Sequence, residues 1–490
     1  MSDTRDLGLI LDARIPIVAI ESPDERRVLS LLLRFAMERG LPFFEWSVTR
    51  GLRRGGLGSR INEPVEHAEP SAMLAHLANA PGPALYALCD LHPYLATEPK
   101  LIRQLKDIAL DETLGNTVVL LSHEIKVPRE LSRLTATFDL KLPSDEELLG
   151  IVRTQAQDWG RLNGGRKVKT DEATLKKLVA NLRGVSHADA QVLVRHAIFR
   201  DGVIDASDIP EINRLKFDLL DAEGVLRFEH DTESFAHVAG LDNLKGWLAL
   251  RKDALFESNG RDRPKGILLL GVQGSGKSLA AKAVAGFFGL PLLRLDFGTL
   301  YNKFFGETER NLRNSLKQAE LMAPCVLWMD EIEKGIATGD SDNATSKRVL
   351  GTLLTWMAEN KRSVFLVATS NDISELPPEL VRKGRVDEVF FVDLPDAATR
   401  CEIFRIHLEK RSLDPKAFDL DALAERANGF TGAEIEEAVV SARYLAASRN
   451  EPVTTDAILS AIGRTFPISV LRSESIEALR TWARGRTVPA

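Results

Sequence analysis

The feature that most constrains this chain is a glycine-rich segment that lies between an apolar run and a helical pattern. The segment, Gly-Val-Gln-Gly-Ser-Gly-Lys-Ser, extends from Gly271 to Ser278 and follows the apolar run Lys265–Leu270. It fits the G-x-x-x-x-G-K-[S/T] pattern of a phosphate-binding loop. Glycines let such a loop turn tightly, so that successive backbone N–H groups point at one phosphate, and the following helix adds partial positive charge. The sequence therefore predicts a strand, a phosphate-binding loop and a helix, in that order.

The pattern also predicts which groups would hold the ligand. Lys277 is expected to reach the β- and γ-phosphates of ATP, and the Ser278 hydroxyl is expected to bind Mg²⁺. The predicted contacts with ATP extend along the loop and into the helix that follows it: Gly271, Gly274, Ser275, Gly276, Lys277, Ser278 and Leu279.

Polar side chains end two further apolar runs. The run Val326–Met329 leads directly into Asp330 and Glu331, and the run Val364–Ala368 leads into Thr-Ser-Asn, which ends at Asn371. Asp330 is predicted to hold the water shell of Mg²⁺, and Glu331 to polarise the attacking water. Asn371 is predicted to orient that water. Such residues can also form solvated turns, but the intact phosphate loop favours the catalytic interpretation.

In chain order, the phosphate loop and the stretches WMDEIEKG, ATSN and ELVRKGRVDEVFFVDLPD resemble the AAA clade of AAA+ ATPases. That clade carries an R-x-G-R-x-D segment, which is present here from Arg382 to Asp387. The resemblance implies that Arg382 and Arg385 project into the active site of the next subunit. There they would neutralise charge on the transferred phosphoryl group. The alternative is a pair of surface arginines in a turn.

The resemblance continues on both sides of the sheet region. Glu402–His407 is similar to a stretch whose histidine touches the nucleotide, and Gly429–Ile435 is similar to a second sensing segment. Val238–Asp242 is similar to the segment beside the adenine, although it lacks the usual second glycine. The further nucleotide contacts that the resemblance implies are His407, Gly432, Ala433, Val238 and Gly240.

A narrower resemblance extends through both halves of the chain. GLDNLKGWL, LPLLRLDFG, APCVLWMDEI and PPELVRKGR are similar to AAA proteins of the hypothetical-chloroplast-frame (Ycf) type, from cyanobacteria and plastids. EWSVTRGLRR near the start and ALRTWARGR near the end belong to the same resemblance.

Short apolar runs alternate with helical patterns in both halves, which indicates mostly parallel sheets covered by helices. We therefore predict an α/β fold. A P-loop AAA+ ATPase module, with a parallel sheet and a helical lid, follows a degenerate AAA-like α/β domain that has its own helical lid. The predicted boundaries are 1–142 for the degenerate domain, 143–215 for its lid, 216–235 for a linker, 236–395 for the large ATPase domain and 396–490 for the C-terminal lid.

The first half lacks the residues that bind a triphosphate. After the apolar run Ile15–Ile20 the chain continues Glu-Ser-Pro-Asp-Glu-Arg-Arg, with no glycine, no lysine and no Ser or Thr in the places that a phosphate loop requires. The run that ends at Asp90 continues with Leu91 rather than with a second acid. We predict a domain that does not hydrolyse ATP, and an unrelated α/β domain is the alternative.

Two loops are candidate contacts for macromolecules. Arg50–Arg60 interleaves arginines with glycines, which suits a loop for phosphate or nucleic acid but equally a solvated flexible loop. Tyr301–Glu309 resembles the AAA pore loop, in which Phe304 and Phe305 would grip a threaded polypeptide. The alternative for these phenylalanines is packing at a subunit interface or in the core.

Composition restricts the partners and the setting. The 490 residues carry a net charge of −6, which does not favour nucleic acid as the main partner. The three cysteines form neither a metal pattern nor a disulfide framework. The chain has no apolar run long enough to span a membrane, and its start is mixed and acidic. We therefore expect a reducing, cytoplasmic setting.

Together these patterns predict an ATP hydrolase that assembles as a homo-oligomer, with a hexamer favoured, and that remodels or threads a protein partner. Two alternatives stay open. One is a nucleotide-dependent switch or scaffold with slow turnover, and the other is an ATPase that acts on nucleic acid.

Overall fold

The computed structural model describes residues 2–22, 24–55, 66–111, 113, 115–220, 225–230, 232–256, 262–301, 308–336, 343–373, 376–382 and 384–490. The chain divides into two compact units. The first comprises Met1–Asp158 with Val185–Arg195, and the second comprises Trp159–Gly184 with His196–Ala490. Among the described helices, none combines the length and apolar character needed to cross a bilayer.

The first unit is built on a six-stranded sheet. Its strands are β1 (Ile17–Glu21), β2 (Phe43–Ser47), β3 (Gly51–Arg54), β4 (Leu85–Cys89), β5 (Thr117–Ser122) and β6 (Thr135–Asp139). They stand in the order β3-β2-β4-β5-β1-β6, and only β3 runs antiparallel to its neighbour. The helices are α1 (Ser2–Asp12), α2 (Glu25–Arg39), α3 (Pro70–Leu77), α4 (His92–Thr97) and α5 (Pro99–Leu110). Successive residues of the central strands enter two separate apolar cores, so both faces are covered and the strands are continuous apolar runs.

A mainly helical segment follows in the chain. It contains α6 (Asp145–Leu162), α7 (Glu172–Leu182), α8 (His187–Phe199) and α9 (Asp208–Leu220). The sequence predicts helices alone here, and the structure adds a short parallel pair of β7 (Lys169–Thr170) and β8 (Val203–Ile204).

The second unit contains a seven-stranded sheet. Its strands are β9 (Leu226–Glu229), β10 (Gly266–Gly271), β11 (Leu292–Asp296), β12 (Cys325–Asp330), β13 (Val364–Ser370), β14 (Glu388–Val392) and β15 (Val488–Pro489). Their order is β15-β14-β10-β13-β12-β11-β9, and only β9 is antiparallel. The helices are α10 (Asp242–Ala249), α11 (Lys252–Phe256), α12 (Lys277–Phe288), α13 (Phe297–Tyr301), α14 (Thr308–Leu321), α15 (Glu333–Ile336) and α16 (Asn343–Glu359). Because β10, β13 and β12 are parallel neighbours, their carboxyl ends meet at one edge.

The predicted linker, residues 216–235, is in fact part of the folded second unit. It contains the last turns of α9, the strand β9 and the start of a 3-10 turn at Phe235. Strand β9 pairs with β11 from Leu226 opposite Leu295 to Glu229 opposite Leu292. Charged residues alternate with apolar ones along β9, as expected for an edge strand with one face in the core. This mixed pattern resembles a linker when it is read without its partner strand.

The predicted C-terminal lid, residues 396–490, is also divided by the structure. Helices α17 (Ala397–Glu409), α18 (Leu420–Arg426), α19 (Gly432–Ser448) and α20 (Thr455–Gly463) share one apolar core. After α21 (Ile468–Leu471), helix α22 (Ser473–Ala483) contributes Leu479 to the core of the sheet. Strand β15 then pairs with β14. The end of the chain therefore belongs to the sheet. The sequence did not indicate this strand, because two residues are too few to show a period.

Candidate active site

The phosphate loop connects the central strand β10 to helix α12, as the sequence predicts. Gly274 and Gly276 have φ values of 80° and 97°, a backbone region that favours glycine. A Cβ atom on Gly271 would lie 2.1 Å from the carbonyl oxygen of Val392 on β14, so a side chain does not fit there. The loop geometry therefore depends on the glycines that define the motif.

Lys277, at the start of α12, is 7% exposed and points back into the loop. Its ammonium group donates hydrogen bonds to the carbonyl oxygens of Gly271 at 2.9 Å and Val272 at 2.7 Å. Burial lowers the pKa of Lys277 to about 8, although the carboxylates nearby act in the opposite direction. An anionic ligand would relieve this desolvation cost by pairing with the ammonium group.

The acids at the end of β12 are held by the neighbouring strand β13. The Thr369 hydroxyl donates to Asp330 Oδ1 at 2.7 Å and accepts the backbone N–H of Glu331 at 3.1 Å. The Asn371 side-chain amide donates to Glu331 Oε1 at 3.2 Å. Glu331 itself has a φ of 47° and forms an ion pair with Lys334 one turn later. The three residues predicted to do the chemistry are therefore adjacent.

The lid contacts the phosphate loop through the start of α19. Thr431 caps this helix in a reciprocal pair with Glu434, and the Ala433 N–H donates to the carbonyl oxygen of Gly274 at 3.4 Å. A Cβ atom on Gly274 would lie 3.1 Å from the Thr431 hydroxyl. The lid and the loop are therefore in direct contact.

His407 lies on α17, close to Glu436 of α19. Its Nδ1 atom is 3.6 Å from Glu436 Oε1, and Arg411 donates to the same carboxylate oxygen at 2.7 Å. Burial lowers the pKa of His407, and the Glu436 carboxylate opposes that shift. A polar cluster thus stands on the lid side of the cleft.

A cleft of about 420 Å³ lies between the loop, the strand ends and the lid. The predicted site residues that line it are Gly274, Ser275, Gly276, Lys277, Ser278, Leu279, Asp330, Glu331, Asn371, Val238, His407, Gly432 and Ala433. Gly271 and Gly240 lie outside its lining. The sequence reasoning did not assign Thr369, Lys410 and Glu436, which also line the cleft. Glu436 could have been found, because it stands four residues after Gly432, on the same helix face.

The predicted trans arginines lie away from this cleft. The Arg385 side chain donates to the carbonyl oxygen of Glu379 at 2.5 Å, and Arg382 is exposed. Lys265 fixes the loop between them by donating to the carbonyl oxygen of Gly384 at 2.8 Å. Neither arginine therefore completes the site of its own chain. Phe304, Phe305 and residues 56–60 of the arginine-glycine loop lie outside the described residues.

The corresponding edge of the first sheet carries different groups. After β1, Glu21 accepts the backbone N–H of Ile125 at 2.8 Å, and Ser22 accepts the N–H of Asp24 at 3.0 Å. At the end of β4, Asp90 accepts the Ser122 hydroxyl at 2.7 Å. Acidic side chains with local hydrogen bonds thus stand where the second sheet has its loop and lysine.

Comparison with known proteins shows the family to which this chain belongs. The model "ATPase family associated with various cellular activities (AAA)" matches residues 267–394. The "Uncharacterized AAA domain-containing protein ycf46" of Trieres chinensis is 33% identical over 489 residues, which are 98% of this chain and 96% of that protein. This chain belongs to the AAA ATPase family. Models for the N-terminal and second domains of a SpoVK-like AAA ATPase match residues 3–140 and 146–223, and an AAA+ lid model matches residues 417–461.

Other relatives are similar either over nearly the whole of this chain or over about half of it. The ycf46 protein of Guillardia theta is 33% identical over 99% of this chain and 95% of its own length. The "ATP-dependent zinc metalloprotease FtsH" of Chlorobium luteolum is 36% identical over 46% of this chain and 33% of its own length. Similarity to the metalloprotease is thus limited to part of each protein.

Membership in the AAA ATPase family implies a bound nucleotide, and the cleft fits one with Mg²⁺. The Ser275 hydroxyl is buried without a hydrogen-bond partner at the loop, and the Lys277 ammonium bonds only carbonyl oxygens among the described residues. Mg²⁺ prefers oxygen donors and is commonly bound through one or two carboxylates together with phosphates and water. Asp330 and Ser278, beside a phosphate loop, provide such donors.

Proposed function

We propose that the protein is an ATP-hydrolysing AAA+ ring ATPase that remodels or threads a protein partner. One observation carries the proposal. A single cleft joins the buried Lys277 behind a phosphate loop to Asp330, Glu331 and Asn371, which are linked by hydrogen bonds across two strands.

In the proposed reaction, ATP and water give ADP and phosphate. The loop amides and Lys277 would bind the β- and γ-phosphates, and Ser278 and Asp330 would hold Mg²⁺, Asp330 through water. Bound Mg²⁺ would neutralise charge on the phosphate oxygens. Glu331 would take a proton from the water as its oxygen bonds to the γ-phosphorus and the bond to ADP breaks. The Asn371 amide would orient that water.

The proposed nucleotide contacts beyond the phosphates are Val238, Gly240, Leu279, His407, Gly432 and Ala433. Four of these residues come from the lid or from the segment before α10 and line the cleft: Val238, His407, Gly432 and Ala433. Because lid and loop are hydrogen-bonded to one another, loss of a phosphate would change the lid contacts as well. This coupling supports a protein that converts hydrolysis into movement.

The ring is part of the proposal because no arginine is found among the described residues that line the cleft. Arg382 and Arg385 would act in the site of the next subunit of a homo-oligomer, with a hexamer favoured.

The first unit would not hydrolyse ATP, since acids replace its phosphate loop. A reducing, cytoplasmic setting is also proposed, in keeping with the free Cys89, Cys325 and Cys401.

Glu331→Gln tests the chemistry directly. We expect the variant to bind a fluorescent ATP analogue as the wild type does, while phosphate release falls by roughly 10²-fold or more. Lys277→Ala should lose the binding itself. Normal turnover in Glu331→Gln would contradict the proposed role of this residue.

Threading can be tested separately from hydrolysis. An unfolded model polypeptide such as casein should stimulate ATP turnover of the wild type, and Phe304→Ala and Phe305→Ala should lose the stimulation but keep basal turnover. Stimulation that survives both substitutions would exclude the Phe304–Phe305 segment as the grip.

A second candidate, a nucleotide-dependent switch with slow turnover, has a specific observation in its favour. Both acids are engaged by cations of their own chain, because Lys334 pairs with Glu331 and Arg294 donates to Asp330 at 2.9 Å. Lys334→Ala should accelerate hydrolysis if this pairing restrains Glu331. Unchanged turnover in Lys334→Ala would remove the argument for the switch.

Nucleic acid as a partner would instead require salt-sensitive stimulation of turnover by DNA or RNA.

A further inference from the structure

Arg294 extends from β11 to the acid proposed to serve Mg²⁺. Its Nη2 atom donates to Asp330 Oδ2 at 2.9 Å, and both side chains are partly shielded from solvent, at 32% and 16% exposed. The other oxygen of Asp330 accepts the Thr369 hydroxyl. Both oxygens of Asp330 are therefore engaged by side chains of its own chain.

A second carboxylate competes for the same guanidinium. The Nη1 atom of Arg294 is 3.8 Å from Oε1 of Glu229 on the edge strand β9. Glu229 is also 3.5 Å from the Lys282 ammonium on α12, the helix that begins at the phosphate loop. Beneath these charges, the Arg294 guanidinium lies 4.6 Å from the centre of the Trp328 ring. The Trp328 ring packs against the guanidinium, and the Glu229 and Asp330 carboxylates interact with its two different Nη atoms.

We propose that Arg294 is a positioning residue that restrains the Asp330 carboxylate, which would hold Mg²⁺ through water, and that Glu229 weakens this restraint. The inference rests on the proposed function, because it concerns Mg²⁺·nucleotide in the same cleft. The guanidinium and a bound Mg²⁺ would both be cations close to the Asp330 carboxylate, so they would compete for its negative charge and repel each other. Mg²⁺ affinity therefore depends on how the guanidinium is shared between Asp330 and Glu229.

This arrangement connects the metal side of the cleft to the edge of the sheet. Glu229 ends β9, the strand that follows the helical segment α6–α9 in the chain. If β9 moved so that Glu229 withdrew, Arg294 would pair with Asp330 only, and the affinity for Mg²⁺ would fall. If β9 moved so that Glu229 came closer to Arg294, the affinity for Mg²⁺ would rise. The edge strand is thus a point where events outside the cleft can alter magnesium loading.

The test measures nucleotide binding as a function of Mg²⁺ concentration and does not depend on ATP turnover. A fluorescent ADP analogue is bound to the whole 490-residue chain, either in EDTA or with increasing MgCl₂. Arg294→Gln should lower the apparent Kd for Mg²⁺ about fivefold, and Glu229→Gln should raise it about threefold. The double variant should behave as Arg294→Gln alone, because Glu229 acts through the arginine. In EDTA all variants should bind the analogue within about twofold of wild type.

Arg227→Gln is the matched control, since Arg227 lies opposite Arg294 on β9, is exposed and carries the same charge. It should leave the Mg²⁺ dependence unchanged. An unchanged or weakened Mg²⁺ affinity in Arg294→Gln would overturn the proposal, and so would a Glu229→Gln effect that persists without the arginine. If wild type bound the analogue identically with and without Mg²⁺, the magnesium part of the proposed function would fail, and this inference with it. Should Arg294→Gln fold poorly by thermal melting in EDTA, the opposite shift in Glu229→Gln still decides the outcome.

Discussion

Thr369 and Asp330 form a 2.7 Å hydrogen bond between the adjacent parallel strands β13 and β12, and the Thr369 hydroxyl also accepts the backbone N–H of Glu331. The hydroxyl is buried, with Thr369 only 1% exposed. One side chain thus positions both of the acids on which the proposed chemistry depends.

Thr369→Val keeps the shape but removes both hydrogen bonds, which leaves two polar groups poorly satisfied at a cost of about 1–3 kcal/mol. We expect turnover to fall at least tenfold and the unfolding midpoint to decrease. Thr369→Ser retains the hydroxyl and should keep most of the activity. Steady-state phosphate release and thermal melting measure the two effects. Wild-type turnover in Thr369→Val would show that the acids are positioned by other groups.

Lys277 should take up a proton when nucleotide binds near pH 8. Burial lowers its pKa to about 8, so roughly half of the lysines are neutral at that pH before binding. Phosphate favours the charged form and raises the pKa again. Calorimetry of ADP binding in buffers of different ionisation enthalpy should show an uptake of about half a proton at pH 8 and almost none at pH 6.5. Equal uptake at both pH values would contradict this assignment.

Lys216 should make the stability of the protein depend on pH. It is fully buried, and its ammonium donates to the carbonyl oxygens of Asn181 at 2.9 Å and Arg183 at 2.5 Å. Burial lowers its pKa to about 7, whereas the unfolded value is near 10.5. Between these values the unfolded state binds more protons, so the free energy of unfolding rises with pH.

For wild type relative to Lys216→Met, we expect this rise to be about 2 kcal/mol between pH 7 and pH 9. Urea unfolding at several pH values measures it. Lys176→Met, at an exposed position on α7, should keep the wild-type slope. Parallel slopes for wild type and Lys216→Met would contradict the prediction.

The trans role of Arg382 predicts complementation between inactive variants. Arg382→Ala and Glu331→Gln should each reduce turnover by roughly 10²-fold or more while still binding nucleotide. Mixed together, they should recover part of the activity, because some interfaces combine an intact Glu331 with an intact Arg382. Wild-type turnover per chain should also rise with protein concentration. Arg385→Ala can be mixed in the same way, and a mixture that stays inactive would place the arginine function within one chain.

Much of the second unit was predictable because its signals are local. The phosphate loop needs glycines at fixed spacing, and the buried strands β10, β12 and β13 are continuous apolar runs. The family and the α/β fold class follow from these segments, and the comparisons confirm both. The roles of the site residues stay predictions, although the cleft gathers most of them.

Other features depend on partners distant in the sequence. The strands β9 and β15 were missed, because one is charged on its open face and the other has two residues. The contacts of Thr369 and Arg294 with Asp330, like the burial of Lys216, follow from strand order and helix packing. The sequence by itself determined the phosphate loop, the two acids and the fold class, since each depends on signals that lie within short stretches of consecutive residues. Only the tertiary structure decided which side chains meet across strands, because register and burial are properties of the assembled sheet.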